Sequence, residues 1–465
     1  MSSSQEKDLR VARPELRRVL SRPHLFVFGL VSMGPIAAFS MYGFVFATSG
    51  GAIILAYLIG AMGVMLTALS FAQMASVAPH SGSVYGYANL QWAVRSAFWG
   101  GWAILLDYLL LASLTAVYGA LYLFSALPQI PQFRYLLGFF ALLLISGVRG
   151  FTLSTKFDFS VLAAQLGFCA IFILLALLLT GPGSAQSPLT YDFLPKGATV
   201  GALLGGASLA VVTFLGFDAI STLAEEVTGE HPGRRIGQAT VMSVAAMLAL
   251  FILISWLLSE LAQGLTLPDP STSAFDILVQ RLPALATPLA LVCGLALGIG
   301  GSQACHTGAT RLTFAMARDR CLPGGPARLN AAFHTPMKAM AMTLAVIVAT
   351  IAIDHVDVLA GLVSFGALTG FLLVNVSVVV HFGIRQRSRA WLAHWLAPLL
   401  GVAVVLDIIS GINPLALELG LGWMVSGMAI YWFHAGARRA LRSRQGLGIA
   451  FNPERPVGPT LPPPA

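Results

Sequence analysis

A short acidic stretch interrupts an otherwise apolar part of the chain. In FLGFDAISTLAEE, residues 214–226, Gly216 precedes Asp218, and Glu225 and Glu226 follow two turns later. An ionised carboxylate in an apolar interior is costly unless a cation, a hydrogen-bond donor or water faces it. Asp218 could therefore neutralise a bound ammonium group, or bind and release a proton. The non-functional alternative is an acid that packs against a neighbouring helix.

Glu225 and Glu226 stand where the same apolar run ends. The simpler interpretation is a pair of helix-end acids that bind Arg234 or Arg235 in the following loop. The functional alternative is that they form part of a gate at the inner end of a cavity.

A second acid lies inside the apolar run ILLDYLLLA, residues 104–112, where Asp107 precedes Tyr108. Two carboxylates in one cavity would suit a diamine, which carries a positive charge at each end. A structural acid near a helix end is the alternative. The rings of Tyr108, Phe214 and Phe217 could wall such a cavity and supply cation–π contacts, although aromatic residues in apolar helices also serve as ordinary packing groups.

The elements that must position these residues are membrane helices. Only 10% of the 465 residues are charged, against about 25% in soluble domains, and the mean hydropathy is +0.81. Apolar runs of about 20 residues, each long enough to cross a hydrocarbon core about 30 Å thick, recur along the chain. The sequence therefore predicts an all-α polytopic membrane protein with twelve transmembrane helices. These spans lie approximately at 24–47, 51–77, 97–126, 134–150, 158–180, 198–226, 237–264, 284–317, 338–353, 357–382, 391–411 and 414–436.

The distribution of positive charge predicts the topology. With a cytoplasmic N-terminus, all but three of the 27 Lys and Arg residues fall on the inner side, the exceptions being Arg134, Lys196 and Arg281. This bias follows the positive-inside rule, so both termini of a multi-pass protein of the cytoplasmic membrane are expected inside. The net charge of +8 is then a topological signal, and no nucleic-acid partner is expected.

Two predicted spans contain a break at mid-length. Span 1 holds Gly34-Pro35, and proline removes a backbone donor and clashes with the carbonyl four residues earlier. Span 6 holds Gly216, with Asp218 two residues later. Interrupted helices at matching positions, five helices apart, indicate a transporter's binding site, because freed backbone groups must face protein or a watery cavity. A simple kink is the alternative.

Three segments carry a resemblance to a known family. They are FLGFDAISTLAEEVTGEHPGRRIGQA (214–239), RLTFAMARDRCLPGGPARLNAAFHTP (311–336) and SFAQMASVAPHSGSVYGYA (70–88). They resemble span 6 with its loop, the span 8 exit and the span 2–3 loop of the amino acid–polyamine–organocation (APC) superfamily. The resemblance covers residues 14–440 and departs at Arg235-Ile236-Gly237, where the family has Ile-Pro. Within the superfamily, SMGPIAAFSMYG and ILLDYLLLA resemble most the branch of putrescine importers and amino acid permeases.

The resemblance implies a five-plus-five inverted repeat (LeuT-like) with discontinuous helices 1 and 6 and two extra C-terminal helices. The N-terminal segment is too charged for a cleaved signal peptide, and the C-terminal tail is rich in proline. Three divisions are expected: a cytoplasmic segment 1–22, a transporter domain 23–440 and a cytoplasmic tail 441–465. Within the transporter domain, the two repeats lie at about 24–180 and 198–382, and the extra helices at about 391–436.

The resemblance also implies which residues face the substrate. Family members that bind α-amino acids hold the carboxylate on free N–H groups of a Gly-Ser-Gly-like turn at the span 1 break. The corresponding residues here run from Met33 through Gly34, Pro35 and Ile36 to Ala37, and Pro35 has no N–H. The turn also lacks a serine hydroxyl. This favours an amine over an amino acid, although the amides of Gly34 and Ile36 remain for a neutral amino acid.

Two further residues are candidates for coupling. Gln165 of span 5 stands where some relatives place a lysine and sodium-coupled relatives hold an ion, so the lysine mechanism is not expected. His306, in GIGGSQACHTG of span 8, is a candidate proton relay, with a satisfied core histidine as the simpler alternative. We expect coupling to protons through the carboxylates, with sodium as the alternative ion.

The leading hypothesis is a secondary active transporter that imports an organic amine such as putrescine, or an amino acid, by alternating access. An amino acid exchanger of the same fold is the first alternative. A membrane enzyme is less favoured, because the sequence contains no HExxH, GxSxG or GK[ST] motif. A channel is less favoured because it need not carry paired broken helices. The four cysteines have no CxxC spacing, so no metal, cofactor or disulfide is expected. The exact substrate and the oligomeric state stay open.

Overall fold

The computed structural model describes residues 21–77, 84, 94–149, 155–184, 195, 198–228, 232–319, 321–328, 330, 335–350 and 355–444. Over these residues the chain forms helices and no β-strand. The α-helices are α1 (Arg22–Met33), α2 (Ala37–Thr48), α3 (Ile53–Val77), α4 (Val94–Ala126), α5 (Gln132–Arg149), α6 (Thr155–Ser184), α7 (Val200–Val212), α8 (Pro232–Leu261), α9 (Ser273–Arg281), α10 (Pro283–Cys293), α11 (Ser302–Arg318), α12 (Met337–Thr350), α13 (Val356–Val378), α14 (Ala397–Ser410) and α15 (Pro414–Arg444). A 3-10 helix (Phe217–Glu226) follows α7, and π-helical segments cover Gly294–Gly301, Val379–Arg385 and Leu392–Leu396.

Helical segments occupy all twelve predicted spans. Within the described ranges, eight helices are long and apolar enough to cross a membrane by themselves, and the bent pair α1–α2 adds a ninth if it is one span. Three apolar helices are shorter: Gln132–Ile145, Val200–Val212 and Met337–Thr350. An all-helical multi-pass membrane protein is therefore confirmed. The count of twelve crossings and the inverted repeat stay predictions.

The short helix α9 was not predicted, because its sequence SAFDILVQR mixes polar and apolar residues. Its last residue, Arg281, donates hydrogen bonds from Nε to the Leu261 carbonyl at 3.1 Å and from Nη2 to the Gln263 carbonyl at 2.7 Å. Leu261 is the last residue of α8 and Gln263 follows two residues later, where backbone oxygens have no partner within the helix. Arg281 therefore caps one membrane helix from the helix that follows it.

The first break separates α1 from α2, which meet at an angle of 51°. Helix α1 ends at Met33, and Gly34 takes φ +67°, a conformation that glycine adopts without a steric penalty. Pro35 follows, so the α-helical hydrogen-bond ladder cannot continue through the turn. The predicted interruption of span 1 is present.

The second break follows α7, which ends at Val212, and a turn leads to Gly216 at φ +104° before the 3-10 helix begins. A side chain at Gly216 would collide with the carbonyl oxygen of Ser32, the residue that precedes Met33 at the end of α1. The two breaks are therefore in direct contact, backbone against backbone. Neither interruption is an isolated kink in a lipid-facing helix.

This contact predicts a large penalty for Gly216→Ala. The left-handed backbone alone should cost about 1–2 kcal/mol for any L side chain, and the collision with Ser32 adds to it. The thermal unfolding temperature of the purified protein should fall clearly. Gly138→Ala in α5 is the matched control, since a methyl group there meets no atom within 4 Å. Equal stability of the two variants would contradict the packing of the breaks.

The last helix, α15, is joined to α4 by a reciprocal pair of tryptophans. The Trp102 ring Nε1 donates to the Trp423 carbonyl at 2.8 Å, and the Trp423 Nε1 donates to the Trp102 carbonyl at 2.9 Å. Their rings are stacked with centroids 4.5 Å apart. Gly427 lies against the Trp102 ring, and a side chain at position 427 would collide with that ring. We call this pair the tryptophan clasp.

Candidate functional site

Asp218 lies at the start of the 3-10 helix, directly after the second break, and is 5% exposed. The Tyr108 hydroxyl on α4 donates a hydrogen bond to its Oδ2 at 2.9 Å. The Tyr108 hydroxyl therefore offsets part of the cost of burying a charged carboxylate at this position.

Asp107 precedes Tyr108 on α4 and is 4% exposed. Its Oδ1 is buried without a hydrogen-bond partner, and its carboxyl interacts electrostatically with that of Asp218. The backbone of α13 closes on it, because a side chain at Gly366 would stand 2.8 Å from the Asp107 amide nitrogen. Two carboxyl groups in one buried site disfavour simultaneous ionisation, so a proton or a cation is needed between them.

Helix α11 completes the wall around the two acids. The half-buried thiol of Cys305 interacts electrostatically with both Asp107 and Asp218. One turn later, Gly308 allows the Tyr108 ring to approach, with the position of an added Cβ only 3.3 Å from a ring carbon. The site thus combines α4, α11, the 3-10 helix and, through the contact of Gly216 with Ser32, the first break.

At the first break, the backbone N–H groups have protein partners. The Ile36 N–H donates to Gln165 Oε1 on α6 at 3.2 Å, and both groups are buried. The Gly34 N–H donates to the Leu30 carbonyl at 3.1 Å, and the Ala37 N–H donates to the Gly34 carbonyl at 2.9 Å. The two amides that the sequence left for a neutral amino acid are therefore engaged in this conformation.

Gln165 acts here as a neutral support for the break. One turn along the same face of α6, the Cys169 thiol lies 4.0 Å from the Pro35 carbonyl. Met33, the last residue of α1, is buried beside this turn. The sequence placed Gln165 at a candidate coupling position, and the structure adds its hydrogen-bond partner, the Ile36 amide, which was not predicted.

His306 is buried on α11, and its Nε2 lies 3.4 Å from the Met340 carbonyl on α12. This contact points to the neighbouring helix rather than to either aspartate. The arrangement matches the simpler alternative, a core histidine with a backbone partner. The proton-relay role stays an untested prediction.

The two phenylalanines beside the second break are fully buried among other rings. Phe214 packs edge-on to Phe251 with centroids 5.1 Å apart, and Phe217 packs against Phe71 at 5.5 Å and Phe371 at 5.2 Å. Phe214 thus packs on α8, and Phe217 connects the 3-10 helix to α3 and α13, so packing accounts for both. Tyr108 is the half-buried aromatic residue of the candidate site.

Two predicted gate residues lie outside the described side chains. The backbone of Glu225 and Glu226 forms the end of the 3-10 helix, but the surroundings of their carboxyl groups fall outside the described part of the structure. In the described ranges, no cluster of three or more His, Cys, Asp or Glu residues is able to hold a metal ion.

Comparisons with known proteins find similarity to permeases and transporters. A family model described as "Amino acid permease" matches residues 23–431. The "Low-affinity putrescine importer PlaP" of Escherichia coli K12 is 26% identical over 426 residues, which cover 90% of this chain and 93% of that protein. The "Methylthioribose transporter" of Bacillus subtilis is 26% identical, and the alignment covers 90% of this chain and 94% of that protein. The "Branched-chain amino acid permease BcaP" of Bacillus subtilis is 24% identical, and the alignment covers 90% of this chain and 93% of that protein.

Proposed function

The chain belongs to the amino acid permease family, and we propose that it is a secondary active transporter that imports an organic amine such as putrescine across the cytoplasmic membrane. The observation that carries this proposal is the buried Asp218 carboxylate at the contact of two broken helices, held by the Tyr108 hydroxyl. A fixed negative charge inside a membrane protein attracts a cationic group, which must be desolvated to enter. Relatives described as putrescine and amino acid transporters support a substrate of the amine or amino acid class.

The choice of an amine over an amino acid rests on the first break. An amino acid carboxylate would need free N–H groups at the start of α2. Pro35 has none, and those of Gly34, Ile36 and Ala37 already bind Leu30, Gln165 and Gly34 respectively. The buried Asp218 carboxyl at the second break is instead able to bind an ammonium group. The site's polar groups thus match a cation better than a zwitterion.

We infer alternating access through the two breaks. Helices α1 and α7, with the 3-10 helix, would rock against a scaffold of α4, α5, α11 and α12. The whole protein would have twelve crossings in two inverted repeats, with both termini in the cytoplasm. The breaks support this inference because irregular backbone at membrane depth is tolerated where it lines a cavity or packs on protein. The contact of Gly216 with Ser32 would let the two half-helices move together.

Proton coupling is proposed from the contrast between the two acids. The Asp218 carboxyl accepts a hydrogen bond from the Tyr108 hydroxyl, whereas the buried Oδ1 of Asp107 has no such partner. We assign the substrate ammonium to Asp218 and the coupling proton to Asp107. The sequence offered another role for Asp107, as the second counter-ion of a diamine, and sodium is the alternative coupling ion.

An uptake screen in proteoliposomes tests the proposed substrate class. Putrescine, cadaverine, arginine, lysine, leucine and alanine are supplied as radiolabelled compounds, and the expected result is saturable uptake of the diamines with little uptake of leucine and alanine. Uptake of neutral amino acids without amines would overturn the amine assignment. Uptake that requires an internal amino acid would establish the second candidate, an amino acid exchanger of the same fold.

A further inference from the structure

A groove separate from the acidic site opens beside the tryptophan clasp. It has a volume of about 350 Å³ and lies between four helices, α4, α12, α13 and α15. Its lining is almost wholly apolar: Leu106, Leu109, Leu110, Val346, Thr350, Leu362, Leu419, Gly422, Trp423 and Ser426. The α15 side is open, because Leu419, Gly422 and Ser426 are exposed.

The polar groups that line this groove are already satisfied by the protein. The Thr350 hydroxyl donates to the Ile347 carbonyl at 2.8 Å, and the Ser426 hydroxyl donates to the Trp423 carbonyl at 2.6 Å. The Trp423 ring N–H is used in the clasp. Among the residues that the structure describes, none that lines the groove is charged. This lining favours a hydrocarbon as the occupant.

The size of the groove limits its occupant. Its volume lies within the roughly 300–1,000 Å³ range of small-molecule sites. A slender, flexible chain is the shape that fits.

We propose that this groove binds one acyl chain of a membrane phospholipid. The groove lies on the part of α15 that is apolar enough to cross the membrane, between Pro414 and Phe433, so lipid chains surround its opening. Space next to hydrocarbon does not stay empty when a chain can enter and gain dispersion contacts.

The groove backs the turn of α4 that carries the acidic site. Leu106 and Leu110 face the groove, while Tyr108, two residues from each, lies on the opposite side of the helix at 100° per residue. A bound acyl chain would therefore pack against the face of this turn that lies opposite Tyr108. The site itself is inferred from the groove alone, so it does not depend on the proposed transport function.

Photo-crosslinking with a phosphatidylcholine that carries a diazirine in one acyl chain tests the site. The full-length protein is reconstituted with this lipid in vesicles, irradiated without substrate, and the modified residues are mapped by peptide mass spectrometry. The expected result is labelling concentrated on residues 419–426. Gly422→Phe, whose side chain enters open space at the groove, should reduce that labelling at least fivefold.

Gly138→Phe is the matched control, because that position is equally open but lies on α5. Ser426→Phe fills the groove from the next turn and should act like Gly422→Phe if the latter folds poorly. Unchanged labelling in both groove variants, an equal loss in Gly138→Phe, or labelling spread evenly over the lipid-facing surface would overturn the proposal. Since substrate is absent throughout, a failed uptake assay leaves these outcomes intact.

Discussion

Asp218→Asn should reduce amine uptake at least about 100-fold and leave the fold in place. Asparagine has the same shape and still accepts a hydrogen bond from the Tyr108 hydroxyl, so the contact with α4 survives. The negative charge is lost, and removal of one partner from a buried charge pair typically costs about 2–5 kcal/mol. A hundredfold change corresponds to about 2.8 kcal/mol. Initial rates of radiolabelled putrescine uptake in proteoliposomes measure the effect.

Tyr108→Phe is the companion variant. It keeps the ring against Gly308 and removes only the hydroxyl, so the carboxylate persists with one donor fewer. A loss of about tenfold is expected, since one hydrogen bond to a charged group contributes about 1.5–3 kcal/mol at most. If Asp218→Asn transports like the unmodified protein, the carboxylate does not bind the substrate, and the acid is a packing residue.

Asp107→Asn should abolish accumulation driven by a proton gradient without abolishing exchange of substrate. The buried Asp107 carboxyl lacks a partner for Oδ1, and the groups that face it are the Asp218 carboxyl, the Tyr108 hydroxyl and the Cys305 thiol. No described cation lies among these groups, so a proton is the simplest means of neutralising it. An amide cannot take up or release that proton.

The measurement compares two modes of transport in the same vesicles. With a gradient of one pH unit, a one-to-one symporter concentrates its substrate about tenfold, since one pH unit is worth 1.36 kcal/mol. Asp107→Asn should lose this component and keep counterflow of labelled against unlabelled substrate. Loss of counterflow as well would assign Asp107 to the substrate, as the second counter-ion of a diamine. An unchanged response to the gradient would place the coupling elsewhere.

The sequence was sufficient for the parts of the site that depend on local chemistry. Gly34-Pro35 and the glycine before Asp218 interrupt apolar runs, and both interruptions are present. The family assignment from three quoted segments is confirmed by the match over residues 23–431. Local patterns of this kind are visible because proline and glycine restrict or free the backbone in their own neighbourhood.

The partners of those residues could not be predicted from the sequence. Tyr108 and Asp218 are separated by 110 residues, and Ile36 and Gln165 by 129. Such pairs follow from the packing of several helices, and nothing in either segment identifies the other. Short α9 was missed for a different reason, since it has neither the length nor the apolar composition of a span. The surroundings of Glu225 and Glu226 stay untested because their side chains lie outside the described residues.

The tryptophan clasp has a consequence for biosynthesis. Its two residues are 321 positions apart, so the helix that carries Asp107 and Tyr108 enters the membrane long before its partner leaves the ribosome. Contacts between such distant segments form late, and until then apolar surface stays uncovered. In a nascent chain released before Trp423, α4 would lack its contact with α15. Cellular quality control would recognise such a chain as incomplete.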